Sequence, residues 1–343
     1  MEFKVITTSF PEWDDFCAPY SGLLFHRQKW RDVVQTGLHH PFIYCTLWED
    51  KQLILGLPAF LMDYKVVRVL YSSIPYGTII GNYNALPEFL SYFQDFLSSQ
   101  KIGILRLGGA YPISNPFRIE QYPLEEKQIH LLDIAGISEE SLWKNYKKYL
   151  RRDIRKSENM GVKIEEIRDR SEIEDFYYLY LCSMKRNKSL AKYPKTFLYS
   201  IYDMIIAAGQ GNIFFAKLEE EKIAGIMILY SQDIAHYYFG GSREEYHRYQ
   251  PNEALLHKAV CKSIKLKKSI FDFMGSDPQD INLIHFKEKW GAVPRPITHY
   301  TIVKNRFCSA VWQAGLYMLA MPSVAALTRC IQSLRLAEGK SGK

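Results

Sequence analysis

The sequence predicts an α/β protein of two tandem domains with mixed sheets, followed by an apolar helical tail. Three observations lead there. At 343 residues the chain is too long for one ordinary core. An order of helix, hairpin, strand, loop, helix and strand occurs twice along it. The stretch from Phe307 to Thr328 then holds no charged residue. The expected boundaries are 1–137 for the first domain, 138–305 for the second and 306–343 for the tail.

In the first half, HRQKWRDVVQTG reads as a helix. The alternating run FIYCTLWEDKQLILGLPAFLM reads as two strands around a tight turn at Glu49–Gln52. VVRVLYSSIPYGTIIG adds a strand and a Gly/Pro loop. LPEFLSYFQDFLSSQ is a helix with Pro87 near its first turn, and KIGILRLGG is the closing strand. The second half opens on helices over SEIEDFYYLYLCSMKR and PKTFLYSIYDMIIAAG. NIFFAKLEEEKIAGIMILY is again strand, charged turn and strand, and IAHYYFGGS is a further strand. PNEALLHKAVCKSIKLK is a helix opened by Pro251, SIFDFMGS a strand, and ITHYTIVKN the last strand of the second domain.

Between the halves, SEESLWKNYKKYLRRDIRKSENMG reads as one helix. Ser138 starts it, Glu139 and Glu140 suit its positive end, and Gly161 stops it. From Lys144 to Lys156 seven bases stand against one acid, Asp153, which gives this helix a dense positive face.

Composition narrows the function classes. Hydrophobic residues at 47% and charged residues at 24% are globular proportions. A net charge of +7 favours an anionic partner, whether a phosphate-bearing substrate, RNA or an acidic membrane surface. The six cysteines are scattered, with no CxxC and no Cys/His cluster, which speaks against a metal site and a disulfide framework. The N-terminal run carries acids and no apolar stretch, so no signal peptide is read there and a cytoplasmic location is expected. There is no Ser-His-Asp order, no recognisable Cys–His context and no paired-carboxylate motif.

The motifs converge on one family. RRDIRKSENMGVKI followed by FYYLYLCSMKR resembles the Fem pattern of an Arg-x-Ile-Arg-Lys helix, a Gly-Val and a helix ending in Thr-x-x-Arg. GGSREEYHRYQPNEALLHKAV resembles its Gly-(Ala/Gly)-Ser strand end and Pro-x-x-Leu-Leu helix. FDFMGS is similar to its Asp-Phe-x-Gly strand end, and IHFKEKWGA to its Phe-Lys-x-x-(Trp/Phe)-Gly loop. The resemblance covers about residues 25–305. It implies tandem acetyltransferase-like (GNAT-like) domains and transfer of an aminoacyl or acyl group. The best-known members move an amino acid from aminoacyl-tRNA to a peptidoglycan precursor peptide in the cytoplasm. Others, in polysaccharide-assembly gene contexts, are unassigned acyltransferases.

The resemblance assigns Lys287 to the tetrahedral intermediate, where an ammonium stabilises the oxyanion formed as an amine attacks an ester or thioester. Its place in the run Lys287–Lys289 also reads as an exposed loop, so Lys287→Met is expected to stop turnover at little cost to folding. Substrate-binding candidates are Phe286, Arg186, Tyr238, Ser242 and Asp272. Phe286 fits a core equally well. Arg186, with Ser183 in the family's Thr place, suits either a phosphate or the negative end of its own helix. Asp272 reads better as a strand-end hydrogen-bonding group than as a base. His236, His247, His285 and His299 read as structural. Arg151, Arg152 and Arg155 are candidate contacts to RNA or phosphate, or a solvated face.

Two departures from pattern matter. The acetyl-CoA loop needs glycines whose amides cradle pyrophosphate, yet Gln250 is followed by none and Pro251 lacks the N–H. No cofactor is therefore expected; the donor substrate is aminoacyl-tRNA, with an acyl-CoA or acyl carrier protein as the alternative. In Trp30-Arg31-Asp32-Val33-Val34, Val34 stands where the family has a lysine that helps hold the acceptor's nucleotide, so the acceptor differs. The leading expectation is amide formation on an amine of a cell-envelope precursor, with no protein base identified. The alternatives are acylation of a saccharide or lipid in exopolysaccharide assembly, and a non-catalytic membrane-associated family member. In the tail, Trp312, Leu316, Tyr317 and Leu319 surround a break at Pro322, and Arg329 and Arg335 follow. That pattern suits packing on the first domain or peripheral contact with an anionic membrane surface better than a span.

Overall fold

The computed structural model describes residues 1–64, 67–111, 119, 124–304, 307, 308, 310–312, 314 and 315. The chain opens with β1 (Glu2–Ile6), α1 (Glu12–Cys17) and α2 (Gln28–Leu38), then the hairpin β2 (Phe42–Glu49) and β3 (Gln52–Asp63). Asp50 and Lys51 in its turn both have positive φ, which matches the twist of the strands they join. Next come β4 (Arg68–Ser72), β5 (Ile80–Gly81), α3 (Leu86–Ser99), β6 (Ile102–Ala110) and β7 (Leu124–Asp133). The linking helices are α4 (Glu139–Asn145) and α5 (Lys148–Asn159). They lead to β8 (Val162–Glu166), α6 (Ile173–Arg186) and α7 (Lys195–Ile201). The remainder is β9 (Gly211–Leu218), β10 (Glu221–Tyr230), β11 (Ile234–Ser242), α8 (Pro251–Lys265), β12 (Ile270–Ser276), α9 (Ile281–Glu288) and β13 (Val293–Val303).

These elements form two units. One comprises Met1–Lys127 with the segment that starts at Pro296, the other Gln128–Arg295. In the first, strand order is β1-β2-β3-β4-β6-β13, with β5 on β3. Leu47, Leu55, Leu57, Phe89, Phe93 and Leu105 make its core. In the second, the order is β7-β12-β11-β10-β9-β8, with only β11 and β12 parallel. Its core joins Phe214, Ile226, Phe271 and Phe273 of the strands to Leu255 and Leu256 of α8.

The boundaries differ from the expected ones because each unit takes its closing strand from the other half of the sequence. ITHYTIVKN, expected to end the second domain, pairs antiparallel with β6 from Thr298↔Ala110 to Val303↔Ile104. Conversely β7, placed by position in the first domain, pairs with β12 from Ile270↔Asp133 to Ser276↔Gln128. Strand partners are set by long-range register, which local patterning does not carry.

Two local readings also change. The single linking helix is two helices, broken at Tyr146, whose ψ of 139° is extended. The Tyr146 ring is buried, edge-on to Trp290 at 5.4 Å, and a continuous helix is given up for that burial. Ser138 does cap α4, accepting from Ser141 N at 3.1 Å. The segment IHFKEKWGA, expected as a loop, lies mostly in α9. Asp280 caps that helix by accepting from Leu283 N at 3.0 Å, and Gly291 (φ +87°) follows its end.

Of the tail, Val311 and Trp312 pack on Val67, Val69 and Ile104 of the first unit. The expectations for Leu316, Tyr317, Leu319, Pro322, Arg329 and Arg335 fall outside the described residues. Among the described residues no helix is long and apolar enough to cross a membrane.

Gly241 lets β11 lie directly on α6. A Cβ there would meet the carbonyl carbon and oxygen of Leu179 at 2.4 Å and Tyr180 N at 2.5 Å. Backbone cannot swing aside as a side chain can. Gly241→Ala should therefore lower the unfolding free energy by about 1–3 kcal/mol, seen as a lower urea midpoint at unchanged slope.

Candidate active site

β11 and β12 run side by side only briefly. Their pairs are Ile234↔Ile270, Ala235↔Phe271 and His236↔Asp272. Past that point both strands are irregular. β12 shifts register against β7 between Asp272 and Gly275, and β11 shifts against β10 so that Tyr238 is the extra residue. The strands thus part just beyond His236 and Asp272.

A buried polar chain holds this fork. Asp272 Oδ2 accepts from His236 Nδ1 at 2.9 Å, and His236 Nε2 lies 2.8 Å from Ser231 Oγ. Both Asp272 and His236 are fully buried. Asp272 Oδ1 accepts from Met274 N at 2.7 Å and holds Met274 at φ 63°, a left-handed conformation rare outside glycine. The turned backbone presents the carbonyls of Met274 and Gly275 to Lys287 Nζ, each at 2.8 Å.

Lys287 is therefore neither in a loop nor exposed. It sits in α9 with 2% of its surface accessible. Burial pulls its ammonium down to about 8, against the opposing pull of Asp272 and Asp280. Two of its three N–H groups are used on carbonyls, leaving one for a further acceptor. Removing Lys287 is accordingly not neutral for folding, because two buried carbonyl oxygens lose their donor. The expected role of Asp272 in substrate binding gives way to the strand-end role: its two oxygens are engaged by His236 and Met274.

A second cluster lies where α6 meets the end of β11. Arg186 Nη1 donates to Ser242 O at 2.9 Å, with Ser242 Oγ and His247 Nε2 each at 3.3 Å. Ser183, in the family's threonine place, keeps the hydroxyl chemistry: its Oγ accepts from Ser242 N at 2.9 Å. Burial and the Arg186 charge push His247 below its ordinary range, so its Nε2 is an acceptor here. Arg186 and Ser242 are thus brought together, but the guanidinium is directed at protein acceptors. Tyr238 is half-buried beside Phe239, its hydroxyl held far above its usual range by burial. Phe286 packs on the core with Lys289 Nζ 4.4 Å from its ring centre.

The two segments weighed for phosphate contact, the start of α8 and the basic face of α5, differ sharply. α8 opens on Pro251, after Gln250 in a left-handed conformation, and Glu253 of its first turn pairs with Lys289. That end already holds a carboxylate. On α5, Leu150, Ile154 and Ser157 face inward while the bases face out. Lys148, Arg151, Arg152, Arg155 and Lys156 line an open groove of about 960 Å³, with the Arg155 guanidinium 5.4 Å from the Trp143 ring centre. Val34, in the first unit, is fully buried and presents nothing to a ligand. His285 is exposed, and His299, in the first unit, is pushed down to about 4 by burial beside Lys127 and Arg106. No metal-binding group is found among the described residues.

His130 of β7 was missed from sequence. It is fully buried, and neither ring nitrogen has a hydrogen-bond partner among the described residues. The alternation in QIHLLD is the signal: read as a strand, it sets His130 on one face with Leu132.

Residues 144–288 match the family model described as an acetyltransferase (GNAT) domain. No curated protein matches the chain. Among solved structures, FemX is similar at 13% identity and a TM-score of 0.65, covering 91% of this chain and 99% of that one. The fold is that of the Fem-like acetyltransferases. A tandem GNAT protein from the clavulanic acid biosynthesis pathway is similar at 8% identity and a TM-score of 0.59, covering 89% and 99%. L-PGS from Bacillus licheniformis is similar at 13% identity and a TM-score of 0.55, covering 86% and 92%. The domain match supports acyl transfer as the chemistry of the second unit, and the solved structures share its fold.

His236→Ala should leave the buried Asp272 carboxylate unpaired and destabilise the protein by about 3 kcal/mol or more. A thermal or urea unfolding curve unchanged by the substitution would show that the pair does not hold the fork.

Proposed function

We propose that the protein joins an aminoacyl group to an amine of a cell-envelope precursor, with Lys287 holding the oxyanion. The observation that supports this best is the buried Lys287 ammonium, anchored by two carbonyls with one N–H to spare. Water is excluded around it, so its charge acts on a developing oxyanion with little screening. The donor in this reading is aminoacyl-tRNA. The basic outer face of α5 suits a phosphate backbone, whereas the α8 terminus, with Pro251 and the Glu253–Lys289 pair, opposes the pyrophosphate of an acyl-CoA. Buried Val34 in place of lysine supports an acceptor held differently from the usual nucleotide-linked peptide.

The test is transfer from tRNAs charged with single amino acids to a nucleotide-linked muramyl pentapeptide, with anionic lipid vesicles as the second acceptor. Lys287→Met should cut the rate by about 10²-fold or more. Lys287→Gln keeps an N–H for the two carbonyls but no charge, and should fold and be equally slow. Full activity in either variant, with circular dichroism showing native structure, rejects the assignment. Only the protonated amine carries the charge, so kcat/KM should fall about tenfold per pH unit above about 8.

Charge reversal at Arg151 and Arg152 should weaken tRNA binding and flatten its salt dependence, measured by filter binding from low to moderate salt. Micromolar binding of acetyl-CoA by calorimetry would instead point to the thioester donor.

A further inference from the structure

We propose that His130 is the proton acceptor of this site, a role no residue of the sequence had filled. The inference rests on the acyl-transfer reading and extends it to a second residue. Leu132 of β7 and Ile134, just past its end, belong to the same core as Phe271 and Phe273 of β12. Side chains alternate along a strand, so His130 stands on that face as well. By the register Ser276↔Gln128, so does Ser276. Trp290 packs on Phe273 from the same side, its ring centre 6.3 Å away.

Four buried polar atoms therefore belong to residues of this core or of the strand face it covers: both His130 nitrogens, Ser276 Oγ and Trp290 Nε1. None has a hydrogen-bond partner among the described residues. Each such group costs about 1–3 kcal/mol when left unmet, so a concentration of them suits a place where polar substrate atoms dock. The register break of β12 lies opposite His130, between Leu131↔Asp272 and Ile129↔Gly275, and it is this turn whose carbonyls anchor Lys287. The charged groups whose field reaches the ring are Lys287 and Glu288 of α9 and Asp272 of β12. Burial first, and then Lys287, hold the imidazole below its ordinary value, so it is neutral near pH 7 and has a lone pair to offer.

The amine lone pair forms the C–N bond to the acyl carbon, and the carbonyl pair moves to oxygen beside the Lys287 ammonium. The proton on the new N⁺ passes to a His130 ring nitrogen. The oxyanion pair restores C=O as the ester C–O bond breaks, and the departing ribose oxygen takes the proton back from His130. The imidazole ends neutral, and the amide and the free hydroxyl are the products.

The experiment uses the full chain with His130→Gln and, as a second variant, His130→Ala with added imidazole. The pH profile of aminoacyl transfer should be bell-shaped in the parent protein. His130→Gln should lose the acidic limb and about 10²-fold in kcat while keeping the alkaline limb. Imidazole should restore part of the rate to His130→Ala. A second readout needs no substrate. In ¹³C-histidine-labelled protein the resonance missing from His130→Gln should titrate below about 6.5, and its midpoint should rise in Lys287→Met. An acidic limb and kcat unchanged in His130→Gln, with Lys287→Met inactive, overturns the role of His130 alone. Full activity in Lys287→Met overturns the oxyanion role of Lys287, and absence of transfer by the parent protein to either acceptor overturns the acyl-transfer reading instead. A His130 midpoint indifferent to Lys287→Met overturns their juxtaposition.

Discussion

The hydrogen bond between His236 and Asp272 ties β11 to β12 at the last point where the two strands run together. A carboxylate with no access to water is tolerable only if its oxygens are met. Here one oxygen faces an imidazole and the other a backbone amide two residues along its own strand. That second bond holds Met274 in its left-handed turn, and the turn aims two carbonyls at Lys287. Ser231 meets the far side of the imidazole, so the chain of contacts runs from a loop after β10 to an ammonium on α9. Loss of one member leaves the next unsatisfied in a medium of low dielectric, and such networks act as units.

The same burial sets the chemistry. An exposed lysine is a hydrated point charge whose field is weakened by the high dielectric of water and screened over about 10 Å. Lys287, almost sealed, is held by carbonyl dipoles rather than by a carboxylate in hydrogen-bond contact, so its charge is not cancelled at close range. Two helix surfaces of the second unit differ sharply in charge because of local sequence. At α8, proline and a paired glutamate occupy the terminus. At α5, a buried stripe of Leu150, Ile154 and Ser157 turns the bases outward into one groove.

Sequence and structure agree where the information is local. Hairpins, helix starts and the order of elements follow from periodicity, turn residues and caps, and these act over a few neighbours. The basic face of α5 was legible because its apolar residues recur at helical spacing. The motif FDFMGS and the motif FKEKW could be picked out separately, yet nothing in either says that the carbonyls of one hold the lysine of the other. The break at Tyr146 was hidden for the same reason: the ring leaves a good helical sequence to reach Trp290, far along the chain.

By itself, the sequence determined the α/β class, the twofold recurrence of elements and the positive face of the linking segment, since each depends on spacing or residue type within a short window; Lys287 came to notice through the resemblance to a family motif. Tertiary structure alone decided which strands close each unit, that Lys287 is buried on a helix, that both Asp272 oxygens are engaged by His236 and Met274, and that His130 has no hydrogen-bond partner among the described residues. Those outcomes depend on register and burial between residues tens to hundreds of positions apart, where hydrogen bonds and desolvation act and pattern carries no record.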